Sequence, residues 1–292
     1  MGLDWFTSFR DAELAHMARL AEGFDTPELR RKLEEKISVF SRSAIEAALR
    51  APAAGTGAPL SVIQFWDSPH PPQDVLACLQ SWEAAGAPLR RFDADQALAF
   101  LEQNFDPEVV ACFRHCHHPA MQSDYFRLAI LLQEGGLYID ADDRFLGAGP
   151  ISDLSAGVTL MPLARIRGAG GMAGIREALA AHAEGASVYF YFNNAPISCP
   201  PGHPLIVLAF RRATQRVQEK MQQGQMADIH HDTGPINFST ALLEFALACH
   251  RDGTPLEIDI RIDWNWLSSF ERLAYKKTDM NWRRNVPLSW KQ

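Results

Sequence analysis

Positive charge is in short supply in this 292-residue chain: 28 Lys and Arg stand against 35 Asp and Glu, a net charge of −7. A nucleic-acid binder normally presents a basic face, so nucleic acid is not an expected partner. Lys276, Lys277, Arg283 and Arg284 form only a small local patch near the C-terminus. Cysteine is also sparse. Cys78, Cys112, Cys116, Cys199 and Cys249 are odd in number and widely scattered, which does not make a disulfide framework and fits a reducing, cytoplasmic compartment. No apolar run reaches about 18 uncharged residues, so no membrane span is expected; peripheral membrane contact stays open. The opening Met-Gly-Leu-Asp-Trp-Phe lacks a basic stretch followed by an apolar run, so no signal peptide is expected. Phe6 occupies the place where N-myristoylation needs Ser or Thr. No internal repeat is present. Apolar residues are plentiful, at 47%, which excludes a disordered chain and permits a full core.

Residues 4–50 read as helical, with Leu14, Met17, Leu20 and Ala21 on one face and Leu29, Leu33, Ile37 and Phe40 on another. Ala51-Pro-Ala-Ala-Gly-Thr-Gly-Ala-Pro59 is a linker by composition. Residues 1–57 are therefore expected to be a helical extension with its linker, and residues 58–292 the main domain. There, strands are expected at Leu60–Trp66 and Pro88–Phe92. Helices are expected from Gln73 to Ala85, from an Asp95 cap to Asn104, and from Pro107 onward. Further on, strands are expected at Val158–Pro162, Ser187–Phe192 and Ile258–Ile262. Helices are expected at Ile175–His182, Pro204–Gln222 and Asn237–Ala248. Alternating strands and helices imply an α/β fold with a mainly parallel sheet.

The most informative stretch is residues 123–143. Ser123 can cap a helix running from Asp124 to Glu134, Gly135-Gly136 stop it, and Leu137-Tyr-Ile139 is a short strand delivering Asp140, Asp142 and Asp143. In open α/β sheets ligands gather at the carboxyl ends of strands. Crowded carboxylates repel unless a cation sits among them, and oxygen ligands suit Mg2+ or Mn2+. Asp124 and Arg127 share a helix face by their i, i+3 spacing; that pair is either a surface ion pair or part of the same site. Asp140-Ala-Asp142 is a DXD triplet, but such triplets arise by chance. Asp93-Ala-Asp95 is read as a turn with a helix cap. Cys112, Cys116, His117 and His118 lack the second ligand pair of a structural zinc site, so buried thiols at a helix end are expected. His230-His231-Asp232 reads as an exposed turn, with a role at an acceptor site as the alternative. Gly168-Ala-Gly-Gly171 lacks a P-loop lysine and reads as a flexible loop.

Ser123-Asp-Tyr-Phe-Arg127 with Gly135-Gly-Leu-Tyr-Ile-Asp-Ala-Asp142 closely resembles the DXD sugar transferases of glycosyltransferase family 32. That family includes yeast-type α-mannosyltransferases and bacterial capsule and lipopolysaccharide transferases, and is related to the glucosylating clostridial toxins. Ile63-Gln-Phe-Trp66, Asn193-Asn194, Pro201-Gly-His-Pro204, Thr233-Gly-Pro235 and Ser289-Trp290 agree with further family segments, in order, over residues 58 to 292. The resemblance implies a GT-A fold: Rossmann-like, with a mainly parallel mixed sheet flanked by helices. It implies a UDP- or GDP-sugar donor with Mn2+ or Mg2+, a glycan or protein acceptor, and retention of configuration. By the same resemblance Asp142 binds the metal, Asp140 contacts ribose and metal-bound water, and Asp124 and Arg127 hold the sugar. Trp66 stacks on the base, Asn194 reaches sugar or acceptor, and Ser289 and Trp290 close over the phosphates. Trp66 can also be simple packing, and Tyr138 is either near the sugar or core. One departure stands out. Asn285 occupies about the place where the family often has a His near the metal; it is a weaker ligand, and Asp279 is the alternative.

The first expectation is thus a metal-dependent hexosyltransferase acting in surface polysaccharide synthesis. Rival expectations are a secreted, toxin-like effector that glycosylates a host protein, a nucleotide-sugar-binding protein without turnover, and a Mg2+-dependent phosphohydrolase using Asp140 as nucleophile.

Overall fold

A computed structural model describes residues 26–50, 60–147, 151, 154, 157–169, 171–270 and 273–277. The helix expected within 1–25, the linker 51–59 and Asp279, Arg283, Arg284, Asn285, Ser289 and Trp290 lie outside the described residues.

The central sheet is built from β1 (Val62–Phe65), β2 (Leu89–Phe92), β3 (Gly136–Tyr138), β5 (Val158–Ile166), β6 (Val188–Cys199) and β7 (Ile258–Ile260). Their spatial order is β2-β1-β3-β6-β5-β7. β1 is parallel to β2 and β3, and β5 is parallel to β7, while β6 runs antiparallel to both β3 and β5. Five strands therefore point one way and β6 alone points the other, which is the mainly parallel mixed sheet expected of a GT-A fold. A small second sheet pairs β4 (Asp143–Phe145) with β8 (Ser268–Phe270). The helices are α1 (Pro27–Arg50), α2 (Gln73–Ser81), α3 (Ala94–Asn104), α4 (Pro107–His115), α5 (Pro119–Glu134), α6 (Ile175–Ala183), α7 (Pro204–Gln222) and α8 (Pro235–Asp252).

The period-2 alternation of strands sorts side chains between two layers. Ile63, Phe65 and Tyr138 join Phe126 of α5 in the larger core. Val62, Leu137 and Ile139 join Trp82, Trp264 and Leu267 on the opposite face. Helix α1 is part of the larger core, not an appendage: Ile37, Phe40 and Ala44 are buried in it, and the helix packs on β6, β7 and α8. β6 leaves β3 beyond the Tyr138–Ile197 pair, and side chains take over as backbone partners. Ser38 Oγ of α1 accepts from Phe190 N at 2.9 Å, and Ser239 Oγ of α8 accepts from Phe192 N at 3.0 Å. This is the hydrogen-bond satisfaction a buried strand requires.

Several boundaries differ from the sequence expectation. α5 starts at Pro119 with His118 as its cap, whose Nδ1 accepts from Ala120 N at 3.1 Å; Ser123 is therefore interior to the helix. Asp93, not Asp95, caps α3, in a reciprocal capping box with Gln96. β5 and β6 are longer than expected because each finds a partner along its length. The Gly135-Gly136 corner has a steric cause. Gly135 (φ +65°) and Gly136 (φ +112°) lie in the region that favours glycine. A Cβ on Gly135 would meet Cys199 O at 2.7 Å, and one on Gly136 would meet Ser61 O at 2.8 Å. Only glycine lets the end of α5 turn into β3 this close to its neighbours.

Candidate active site

The ends of β1 and β3 lie side by side, since Val62 pairs with Leu137 and Ile63 with Tyr138. Trp66 follows β1, and Asp140 follows β3. The antiparallel β6 brings Asn194 back across the same end. Helix α5 lies against this edge with Ser123, Asp124 and Arg127 turned inward, and these three meet Asp140 and Asn194.

Arg127 is the hub. Its side chain is 3% exposed. Nη2 donates to Asp140 Oδ1 at 2.7 Å and Ser123 Oγ at 3.1 Å. Nη1 donates to the Asn194 carbonyl at 2.7 Å and lies 3.2 Å from Asp124 Oδ1. The guanidinium also sits 4.7 Å above the Tyr138 ring, in cation–π geometry. Asn194 Nδ2 donates to Asp124 Oδ1 at 2.8 Å, and the Tyr138 hydroxyl pairs with Ser123 Oγ at 2.9 Å. Arg127 directs both terminal nitrogens at protein groups, so its work in this structure is to orient two carboxylates. Tyr138 is fully buried beneath it and serves as the floor. Asp140, with 36% of its side chain exposed, is the member that faces outward.

The electrostatics follow from burial. Desolvation pushes the Asp124 carboxyl up to about 7 against the pull of Arg127, with Asp140 repelling it and the Asn194 hydrogen bond drawing it down. Desolvation opposes charge on Arg127, but Asp140 and Asp124 outweigh it and hold the guanidinium charged. Asp143 is buried, and desolvation, then Asp142 and Asp140, raise its carboxyl well above the ordinary range.

Asp142 belongs to a second group. It is buried, and its Oδ2 accepts from the Tyr275 hydroxyl at 2.7 Å and contacts Lys276 Nζ. Both partners come from the short 3-10 turn Ala274–Lys277. Tyr275 meets Trp66 edge-on, with centroids 5.2 Å apart and planes at 81°. Trp66 is thus half-buried beside Asp142, with one side of its indole fixed by Tyr275.

The oxygen donor set suits a divalent cation, yet Asp140 is paired with Arg127 and Asp142 with Lys276. Among the described residues no group of three His, Cys, Asp or Glu side chains is gathered for a metal. A cation at Asp142 would have to share that carboxylate with the Lys276 ammonium. Asn285, Ser289 and Trp290 lie outside the described residues.

Two further expectations are corrected. His230-His231-Asp232 is not an exposed turn: His231 and Asp232 are buried, because His231 lies between Asp228 (3.1 Å) and Glu34 of α1 (2.9 Å). Lys276, read from sequence as part of a basic patch on a solvated face, is instead largely covered, its side chain being only 17% exposed. Cys112 and Cys116 are buried free thiols, as expected. Sequence reading passed over Tyr275 and the bridging role of Ser123, and placed Lys276 only in a local basic patch. A serine four residues before an arginine on one helix face was the available signal for Ser123; nothing local marked Tyr275 or tied Lys276 to Asp142.

Gly234 completes the wall. A Cβ there would lie 2.3 Å from Ile229 O and 3.1 Å from Asp124 Oδ2, so the Thr233-Gly-Pro235 corner must carry glycine to close against Asp124.

The α/β fold thus gathers a carboxylate–arginine network where strands β1 and β3 end. Residues 61–152 match the family model described as "Glycosyltransferase sugar-binding region containing DXD motif", a match that supports a glycosyltransferase of the DXD type. No curated protein gives a sequence match. Among solved structures, "PaToxG Glycosyltransferase" is similar at 16% identity over 94% of this chain and 96% of that chain, with a TM-score of 0.42. No helix among the described residues is long and apolar enough to cross a membrane.

Proposed function

We propose that this chain is a metal-dependent, retaining glycosyltransferase that moves a sugar from a UDP- or GDP-sugar to an acceptor hydroxyl. A glycan of surface polysaccharide is the proposed acceptor. The observation that carries the reading is the Asp124–Arg127–Asp140 network, buried at its base with Asp140 its most exposed member, within the matched family segment. Buried, mutually fixed carboxylates are pre-organised acceptors for sugar and ribose hydroxyls. Trp66 offers an indole of the kind that stacks on a base, and Asn194 stands beside Asp124 on the sugar side. Asp140 and Asp142, with Asn285, would hold Mn2+ or Mg2+. When bound, the cation supplies Lewis-acid stabilisation of a diphosphate leaving group. The protein's part is to hold donor and acceptor in one orientation, with the carboxylates fixed in place by Arg127.

The test is a thermal-shift screen with UDP-Glc, UDP-Gal, UDP-GlcNAc, GDP-Man and GDP-Fuc in the presence of Mn2+, followed by product analysis. Release of UDP or GDP with sugar transferred in retained configuration, lost in Asp142→Ala, supports the reading. Failure of every donor to stabilise the protein overturns it. Binding without turnover favours a nucleotide-sugar-binding protein, and inorganic phosphate from simple esters favours a phosphohydrolase.

A further inference from the structure

We infer that Lys276 and a divalent cation exclude one another at the Asp142 carboxylate, so that the strap formed by residues 273–277 lifts whenever the cation binds. The inference rests on the proposed metal dependence and names the residue of this chain that regulates it.

Asp142 is buried and has one oxygen, Oδ2, in contact with both the Tyr275 hydroxyl and the Lys276 ammonium. Lys276 is itself largely covered. The Lys276 ammonium at Asp142, with Arg127 at Asp140, supplies positive charge to these crowded carboxylates. A divalent ion on Asp142 would put two cationic centres against one carboxylate in a part-buried site. Such like-charge repulsion is strong when solvent screening is weak. The protein charge is the one able to leave, because it rides on a flexible four-carbon stem in a single 3-10 turn.

The strap has other anchors, and they decide what its movement does. Ala274 N donates to Asp74 Oδ2 at 2.7 Å. Leu273 packs with Val75, Cys78 and Ala141. Tyr275, the neighbour of Lys276, rests on Trp66. Tyr275 is the chain neighbour of Lys276, donates to the same Asp142 oxygen and rests on the indole, so lifting Lys276 off Asp142 would move Tyr275 relative to Trp66. Cation arrival and exposure of Trp66 are therefore coupled through two adjacent residues.

Mn2+ affinity of the full chain, measured by calorimetry or by the spin-resonance signal of free Mn2+, tests this directly. Lys276→Met keeps the stem and removes the charge; it should bind Mn2+ about tenfold more tightly than the parent, as expected when a competing part-buried ion pair is lost. Lys276→Arg should stay near the parent value. Hydrogen exchange gives a second readout: Mn2+ should speed exchange of residues 273–277 in the parent, and Lys276→Met should show fast exchange there without Mn2+. Melting curves check that each variant folds. Equal or weaker Mn2+ binding by Lys276→Met, or slower strap exchange on adding Mn2+, overturns the inference while leaving the transferase reading intact. If neither protein binds Mn2+ yet both bind a UDP- or GDP-sugar, the inference and the metal dependence fail together.

Discussion

Arg127 joins Asp140 to Asp124: Nη2 donates to Asp140 Oδ1 at 2.7 Å while Nη1 stands 3.2 Å from Asp124 Oδ1. Only a planar fork can reach both carboxylates at once. Arg127→Lys keeps a charge but can satisfy one side, and kcat/KM should fall about 100-fold, the scale of losing fixed geometry at a reacting centre. Arg127→Ala leaves the buried Asp124 without its cation and should cost about 3–5 kcal/mol in urea unfolding. If Arg127→Lys turned over at the parent rate, the bridge would not matter to the reaction.

Gly234 gives a steric prediction. In Gly234→Ala the new methyl is 2.3 Å from Ile229 O, and backbone must move to relieve it. The expected cost is about 1–3 kcal/mol, as for overpacked sites, with weaker donor binding because Asp124 is the next atom met. Gly185→Ala, at φ +91° with nothing nearby, separates the contact effect from the backbone effect. Thermal melting with and without donor measures both.

Stability should fall as pH rises past neutrality, through His231. Burial opposes its protonation, but hydrogen bonds to Asp228 and Glu34 and their charges outweigh burial and raise its pKa. A raised folded value means the stabilisation is complete below the unfolded value of about 6.5 and disappears as pH climbs through the folded value. Asp228 is also desolvated, but His231 and backbone hydrogen bonds depress its pKa. Its contribution is therefore present above about pH 4 and is lost only in acid. Arg30 and Arg216 lie nearby, against Asp228 and Asp232. The Tm difference between the parent and His231→Gln should be large near pH 6 and shrink by pH 9. A difference that did not change with pH would contradict this account.

Chelation makes the fourth prediction. EDTA should abolish sugar transfer and Mn2+ should restore it, whereas Asp142→Asn should resist rescue at the same Mn2+ concentration. Transfer that persists in EDTA would show that the protein's own cations suffice.

The sheet and most helices were legible because their signals are local: alternation in β1 and β3, proline at the first turn of α4, the glycine corner after α5. The site was legible to the extent that one continuous segment encodes it. Asp124, Arg127, Tyr138 and Asp140 lie within seventeen positions of one another, and the DXD context ties them together. The partners of Asp142 were not legible, since Tyr275 and Lys276 lie more than 130 positions away, on a turn without periodicity. His231 was misread for the same reason. Its burial depends on Glu34, 197 positions earlier, and a run of His and Asp looks solvated until a distant carboxylate covers it. Helix boundaries slipped where an unusual cap, such as His118, replaced the residue types that normally announce one.

Helix α1 is joined to the rest of the fold by side chains across β6 as well as by the chain itself: Ile37, Phe40 and Ala44 sit in the common core, and Ser38 completes the hydrogen bonding of Phe190. Cutting the polypeptide between residues 50 and 60 would therefore yield two fragments that still recognise each other. Expressed separately, they should reassemble on mixing and recover transfer activity together, each inactive alone. The helix behaves as a detachable key to the enzyme, and a Phe40→Ala copy of the short fragment would no longer fit.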